Sequence, residues 1–284
     1  MMKKYIKKNI NTSTVLLLFL LLATLPGAGC GKIQDYTFLN FVPQTTLRSL
    51  GTDNVDEILE SVRLILKKQT KDLDVKEALL AKAYYEHQKD TDMIIKCSER
   101  VLLLCSDQDI SQDVTLQLAQ IYLDQADFDK AVKYSKDYQE FYPGNVNAKK
   151  AAYIDIQAHY LSILQSGRDQ KKTEETIELA NLFLDKYKEQ DNYSMTINQI
   201  ISTCYNNLFD TEISVINTYL DKYNYYNNFS SLNAATRRLA YVKTKVLPFI
   251  KNSEKEKNVA NLELTMTKAL NKFNYDNNKQ EVAA

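Results

Sequence analysis

Glycine and proline are nearly missing from everything after residue 31, and that scarcity limits the folds open to the chain more than any other feature. Beyond Gly31 only Gly51, Gly144 and Gly167 remain, and the prolines there are Pro43, Pro143 and Pro248. Sheet-rich folds need many turns with positive φ, which glycine supplies, while proline ends helices because its nitrogen has no hydrogen to give the helical ladder. A chain of 284 residues with so few breakers reads as helices joined by short polar turns. The expected fold class is all-α, an α-solenoid of antiparallel helix hairpins closed by a C-terminal capping helix.

The apolar pattern agrees. Val55, Ile58, Leu59, Val62, Ile65 and Leu66 recur at the three- and four-residue spacing that lines one helical face. Comparable patterns predict helices near 73–88, 90–105, 112–125, 127–142, 146–165, 172–188, 193–208, 210–223, 230–250 and 254–274. Residues 53–250 are thus expected to form a helical repeat domain. Residues 251–274 form the cap, with the stripe Val259, Leu262, Met266, Ala269, Leu270 and Phe273, and residues 275–284 form a disordered tail. The same stripe would also suit a coiled-coil or partner helix.

Two segments repeat at a 36-residue offset, Thr176–Tyr187 and Glu212–Tyr223, each ending Leu-Asp-Lys-Tyr. An offset of that size fits a two-helix unit. The clearest unit is Thr115 to Asn145, where Leu118, Ala119, Tyr122, Phe128, Ala131 and Pro143 resemble the pattern of a tetratricopeptide (TPR) repeat. Ala119 and Ala131 would let paired helices approach closely, Tyr122 and Phe128 would fill the space beside them, and Pro143 would stop the second helix. A looser copy upstream aligns Ala81 and Tyr84 with Ala119 and Tyr122 at an offset of 38, and departs at Met93 where a second small residue is expected. The aromatic endings of the second helices also resemble the TPR lipoproteins of outer-membrane β-barrel assembly and the TPR domain of the Tol–Pal accessory protein.

The first thirty residues carry a different signal. Lys3, Lys4, Lys7 and Lys8 precede the apolar run Val15–Ala23, which is far shorter than the roughly 20 residues that span a bilayer. The run ends in Gly27-Ala28-Gly29-Cys30, which resembles a bacterial lipobox, with Gly27 where that motif usually has Leu. The resemblance implies a lipoprotein signal peptide over residues 1–29, acylation of Cys30 with fatty acids such as palmitate, and a lipidated tether over residues 30–52. Acyl chains at about 0.8 kcal/mol per buried CH₂ would hold the chain on a membrane of the bacterial cell envelope. Gly31, rather than Asp, follows the cysteine, which leans toward the periplasmic face of the outer membrane if the cell is Gram-negative.

Chemistry is sparse. Four of the 36 basic residues and none of the 36 acids lie in residues 1–29, so the remainder carries a net charge near −4 and offers no basic surface to nucleic acid. The two histidines, His87 and His159, stand 72 residues apart and are read as surface or helix-end residues. Metal-pair, phosphate-loop, serine-elbow and Cys-x-x-Cys motifs are all missing, so neither an enzyme nor a cofactor is expected. Cys97 and Cys105 sit about 12 Å apart along one predicted helix, beyond disulfide reach, while pairing of either with Cys204 stays open.

Binding is the expected role. The TPR resemblance points the first helix of the best repeat into a concave groove, with Asp113, Leu116, Gln120, Leu123 and Asp124 facing a protein or peptide partner from the envelope. A second candidate surface is Tyr223–Phe229, although tyrosine and asparagine are abundant throughout. The favoured reading is an envelope interaction scaffold; the rival is a ligand-binding accessory lipoprotein of periplasmic solute transport, with a continuous apolar bore. Lipidation has its own test: labelled fatty acid should mark the wild type and leave Cys30→Ser unmarked, and equal labelling of the two would refute the anchor.

Overall fold

The computed structural model describes residues 55–166 and 170–283, so the expected signal peptide, Cys30 and the expected tether lie outside the described residues. Those residues form ten α-helices and no strand: α1 (Val55–Ile65), α2 (Val75–Gln88), α3 (Thr91–Leu104), α4 (Gln108–Asp124), α5 (Phe128–Phe141), α6 (Ala148–Ser166), α7 (Gln170–Lys186), α8 (Asn192–Tyr226), α9 (Phe229–Tyr241) and α10 (Ser253–Ala283). The fold is all-α and built of helix hairpins, as the scarcity of breakers requires. It divides into two compact units inside α4, between Val114 and Thr115.

In the first unit α2 packs against both α1 and α3. Asp74 starts α2 with a reciprocal capping box, its carboxylate accepting from the Glu77 amide at 2.8 Å while Glu77 accepts from the Asp74 amide at 3.2 Å. Leu80, Ala81 and Ala83 of α2 and Cys97, Ser98 and Val101 of α3 are sealed in this core. Arg100 donates to the Leu73 carbonyl at 2.9 Å, fixing the short 3₁₀ turn Thr70–Asp72 on α3.

The second unit begins with the best TPR-like hairpin. Leu118, Ala119 and Ala131 are fully buried, so the small residues stand where two helices meet, as expected. Tyr122 stacks on Tyr134 at 5.5 Å between ring centroids, and Tyr134 thereby takes part of the space expected for Phe128. Tyr138, fully buried, donates to Asn145 at 2.9 Å, and the same Asn145 oxygen accepts from the Asn147 amide ahead of α6. Pro143 lies two residues beyond the end of α5, a stop within one residue of that expected.

The hairpin turns explain how the chain manages without glycine. Lys89, Ala126 and Asn227 adopt φ of 58°, 58° and 51°, and each is followed by a residue that caps the next helix. Asp90 caps Met93, Asp127 caps Lys130 and Asn228 caps Ser230. In the first two turns the cap amide reaches back to a tyrosine carbonyl, Asp90 to Tyr85 and Asp127 to Tyr122. In the second helix this spacing of 37 replaces the offset of 38: the buried counterpart of Ala131 is Ile94, not the half-exposed Met93, and Ser98 matches the equally buried Ser135, while Ala81 and Ala119 of the first helices are both buried at the offset expected.

Three expectations change downstream. The predicted helices 193–208 and 210–223 are one helix, α8, about 50 Å long. Leu208 and Phe209 are buried at the expected break, and the apolar stripe passes through without a glycine or proline to interrupt it. The segment expected as one helix over 230–250 is α9, then a π-helical turn Val242–Val246 and a 3₁₀ turn Leu247–Phe249, where Pro248 prevents α-helix from continuing. The tail expected to be disordered is helical through Ala283, since 275–283 contains no breaker.

The cap itself forms as expected. Val259 and Met266 of α10 are buried with the α8 and α9 core, and Leu262, Ala269 and Leu270 pack against it. Phe273 stacks on Phe229 at 4.4 Å, and Lys255 pairs with Asp210 at 2.7 Å above the Phe209 ring. At the α7–α8 junction, Asp191 caps Ser194 and pairs with Lys149 at 2.7 Å, and this lysine contact, followed by the Ser194 amide, lowers the Asp191 carboxyl to about 2.

A left-handed residue other than glycine stores strain that glycine would release. Ala126→Gly, at an exposed turn, should raise unfolding free energy by up to about 1 kcal/mol in chemical denaturation, whereas Ala126→Val should lower it.

Candidate functional site

The residues proposed from the sequence do not share one environment. Leu116 and Leu123 are buried at 8% exposure each and so serve the packing of α4, while Asp113 and Asp124 are exposed and Gln120 is half-buried. Gln120 donates to Asp124 at 2.9 Å, so part of the hydrogen-bonding capacity of these two residues is spent on each other.

An opening of about 350 Å³ lies in the second unit between α7, α8 and the end of α9. One face of α7 supplies Glu174, Glu178, Asn181 and Asp185, residues spaced at four, three and four, the interval that aligns side chains along a helix. Ile177, Leu182 and Leu208 give the cleft apolar surface, Tyr205 and Tyr241 give aromatic walls, and Lys245 is the one cation among the lining residues. Tyr241 donates to Glu174, and burial, followed by that carboxylate, pushes its phenol well above the ordinary tyrosine range. Tyr205 is stacked on Phe249 at 4.5 Å, so the aromatic wall is braced by the 3₁₀ turn. The sequence carried this signal as a carboxylate stripe on the solvent side of a predicted helix, a pattern that taken alone describes any solvated face.

One helical turn from Leu208 of the cleft lies a buried carboxylate, paired across helices, that the sequence reading missed. On α8 the positions Cys204, Leu208, Glu212, Ile216 and Leu220 recur every four residues, and all are buried. Glu212 occupies the middle of this stripe at 3% exposure. Arg238 of α9 donates from Nη1 to both its oxygens at 2.7 and 2.9 Å, and Gln170 of α7 donates at 2.8 Å. The contact with Glu212 raises the guanidinium above its usual value. Three helices therefore meet at one carboxylate. An acid in register with an apolar stripe was the available sign.

Other reactive groups are dispersed. Cys97, Cys105 and Cys204 are free thiols, and burial lifts Cys97 and Cys204 to about 11, far from the thiolate that reactivity requires. No group of three or more His, Cys, Asp or Glu residues could hold a metal among the described residues, and no described helix is long and apolar enough to cross a membrane. His87 lies near the end of α2, as expected. His159 does not match its expectation: it sits inside α6, half-buried, with Nδ1 at 2.9 Å from the Asp155 carbonyl oxygen and 3.2 Å from Asp155 Oδ1.

Packed helix pairs with an open, acid-rimmed cleft define an all-α protein of the helix-hairpin class. Residues 104–242 match the family model YfiO, described as an outer membrane lipoprotein. The chain is thus similar over that span, which holds α4–α9, to a family of bacterial TPR lipoproteins, in agreement with the resemblance carried by Leu118, Ala119, Tyr122 and Ala131. No curated protein matches the chain.

Two outcomes follow from the buried charges. Arg238→Leu leaves the Glu212 carboxylate sealed with Gln170 alone and should cost about 2–4 kcal/mol, the range being reduced because Arg238 is itself 39% exposed; adding Glu212→Leu should recover most of that loss in the same denaturation assay. The Asp155 contact raises the pKa of His159 above 6.5 against the opposing effects of burial and Lys136. The native imidazole thus holds its proton to higher pH than the unfolded one. Its stabilisation is complete below 6.5 and is lost as pH rises through the raised value, so His159→Gln should flatten that part of the stability–pH curve.

Proposed function

We propose that the chain is a lipid-anchored interaction scaffold of the bacterial cell envelope, fixed through Cys30 to the periplasmic face of the outer membrane and holding a protein partner on its helical hairpins. The acid-rimmed cleft along α7 is the observation that carries this reading: it is open, mixed in polarity and large enough for side chains of a partner. The match of residues 104–242 to an outer membrane lipoprotein family supports the location and the non-catalytic role. The α4 residues Gln120 and Asp124, with Asp113 preceding them, are a second contact surface in this proposal, and buried Leu116 and Leu123 keep α4 in place beneath it.

The rival role, an accessory lipoprotein with an apolar bore for a small ligand, is less well supported by a cleft whose rim carries Glu174, Glu178 and Asp185. Photo-crosslinking residues placed singly at exposed positions of α4, α7 and α9 of the full chain in native membranes separate the two. Discrete, recurrent protein adducts are the expected result. Absence of adducts at every position, together with a small molecule retained in native mass spectrometry, would replace the scaffold with the rival.

A further inference from the structure

We propose that the partner docks on the crest of α7 around Leu182, and that the docked segment places a lysine or arginine in the acid-rimmed cleft beside an apolar residue laid against Leu182. This deepens the scaffold reading and rests on it. Leu182 is 58% exposed, an unusual position for leucine, and it lines two openings at once. One is the 350 Å³ cleft; the other is a tighter pocket of about 150 Å³ between α5, α6 and α7.

The charge of the occupant follows from what the cleft leaves uncompensated. Glu174 already accepts from Tyr241, but Glu178 and Asp185 have no ion-pair partner among the described residues, and Lys245 faces three carboxylates. Ile177, Leu208 and the rings of Tyr205 and Tyr241 offer surface to the hydrocarbon stem of a long cationic side chain, whose charged end would lie among the carboxylates.

The tighter pocket points the same way by a separate route. Asp155 and Tyr187 both line it, and the Tyr187 hydroxyl is a buried oxygen without a hydrogen bond. His159 Nδ1 stands 3.2 Å from Asp155 Oδ1 and 2.9 Å from the Asp155 carbonyl oxygen, so this carboxylate already has a partner. Buried polar atoms in native proteins are nearly always satisfied, so the Tyr187 hydroxyl leaves this pocket one polar group to be met by an occupant. Lys186, which also lines the pocket and stands 5.1 Å from the Tyr187 ring centroid, repels a second cation there. The group that meets the Tyr187 hydroxyl is therefore a neutral polar one of the same docked segment, with the cationic residue one step across Leu182.

The test uses the full chain in detergent and three fluorescein-labelled nine-residue peptides that differ only in carrying Lys, Gln or Glu on either side of a central leucine. The Lys peptide should bind most tightly by anisotropy. Its advantage over the Gln peptide should fall by about five-fold in Glu178→Gln/Asp185→Asn, and remain in a control with Asp129→Asn on α5. Both cleft substitutions are at exposed positions, and circular dichroism confirms that the variants are folded. Equal binding of the three peptides, or an advantage that survives the double substitution, overturns the proposal. A photo-crosslinker at position 182 separates this failure from a wider one: adducts elsewhere on the chain but none at 182 reject this site and leave the scaffold standing, whereas adducts nowhere reject both.

Discussion

Burial of one stripe along α8 is the constraint on which the second unit depends. Ile197, Ile200, Cys204, Leu208, Ile216 and Leu220 present a continuous apolar edge on a single helix, and α7, α9, the π and 3₁₀ turns and the cap all bury surface in the core that contains it. A helix alone cannot hide such an edge, because its only stabilisation without neighbours is its own ladder and that is marginal in water. Each neighbouring helix contributes part of the cover. The position of the α7 cleft is then decided by where this cover ends.

Glu212 at the centre of that stripe changes what the packing specifies. An apolar side chain there would hold α7 and α9 almost equally well in several registers, since hydrophobic contact has no direction. A carboxylate that requires Arg238 from one side and Gln170 from the other accepts one arrangement. The glutamate contributes little to net stability, yet it aligns the helix bearing Glu174, Glu178 and Asp185 with the one bearing Tyr241.

Much of this was legible in the sequence because helix periodicity and breaker scarcity are local signals. The hairpin around Ala119 and Ala131, the stop near Pro143 and the capping stripe through Met266 needed only spacing. Signals that depend on the partner helix were not legible. Nothing next to Glu212 in sequence identifies Arg238, 26 residues away, and a carboxylate row on α7 gains meaning only once Tyr205 and Tyr241 stand opposite. The merging of two predicted helices into α8 was missed for a different reason: equal offsets between Thr176 and Glu212 suggested equal hairpins, although a repeat of buried positions does not require a repeat of turns.

The unbroken course of α8 has a consequence for how the chain can change over time. Where hairpins meet at turns, such as 142–147, a residue can be gained or lost and the loop absorbs it. Within α8 there is no loop to absorb anything, and a one-residue insertion near Phe209 would rotate all that follows by about 100°, carrying Ile216 and Leu220 away from the core. Length variation among relatives of this chain should accordingly collect at the hairpin tips and be excluded from residues 192–226, so that this helix works as a fixed ruler against which the rest of the molecule varies.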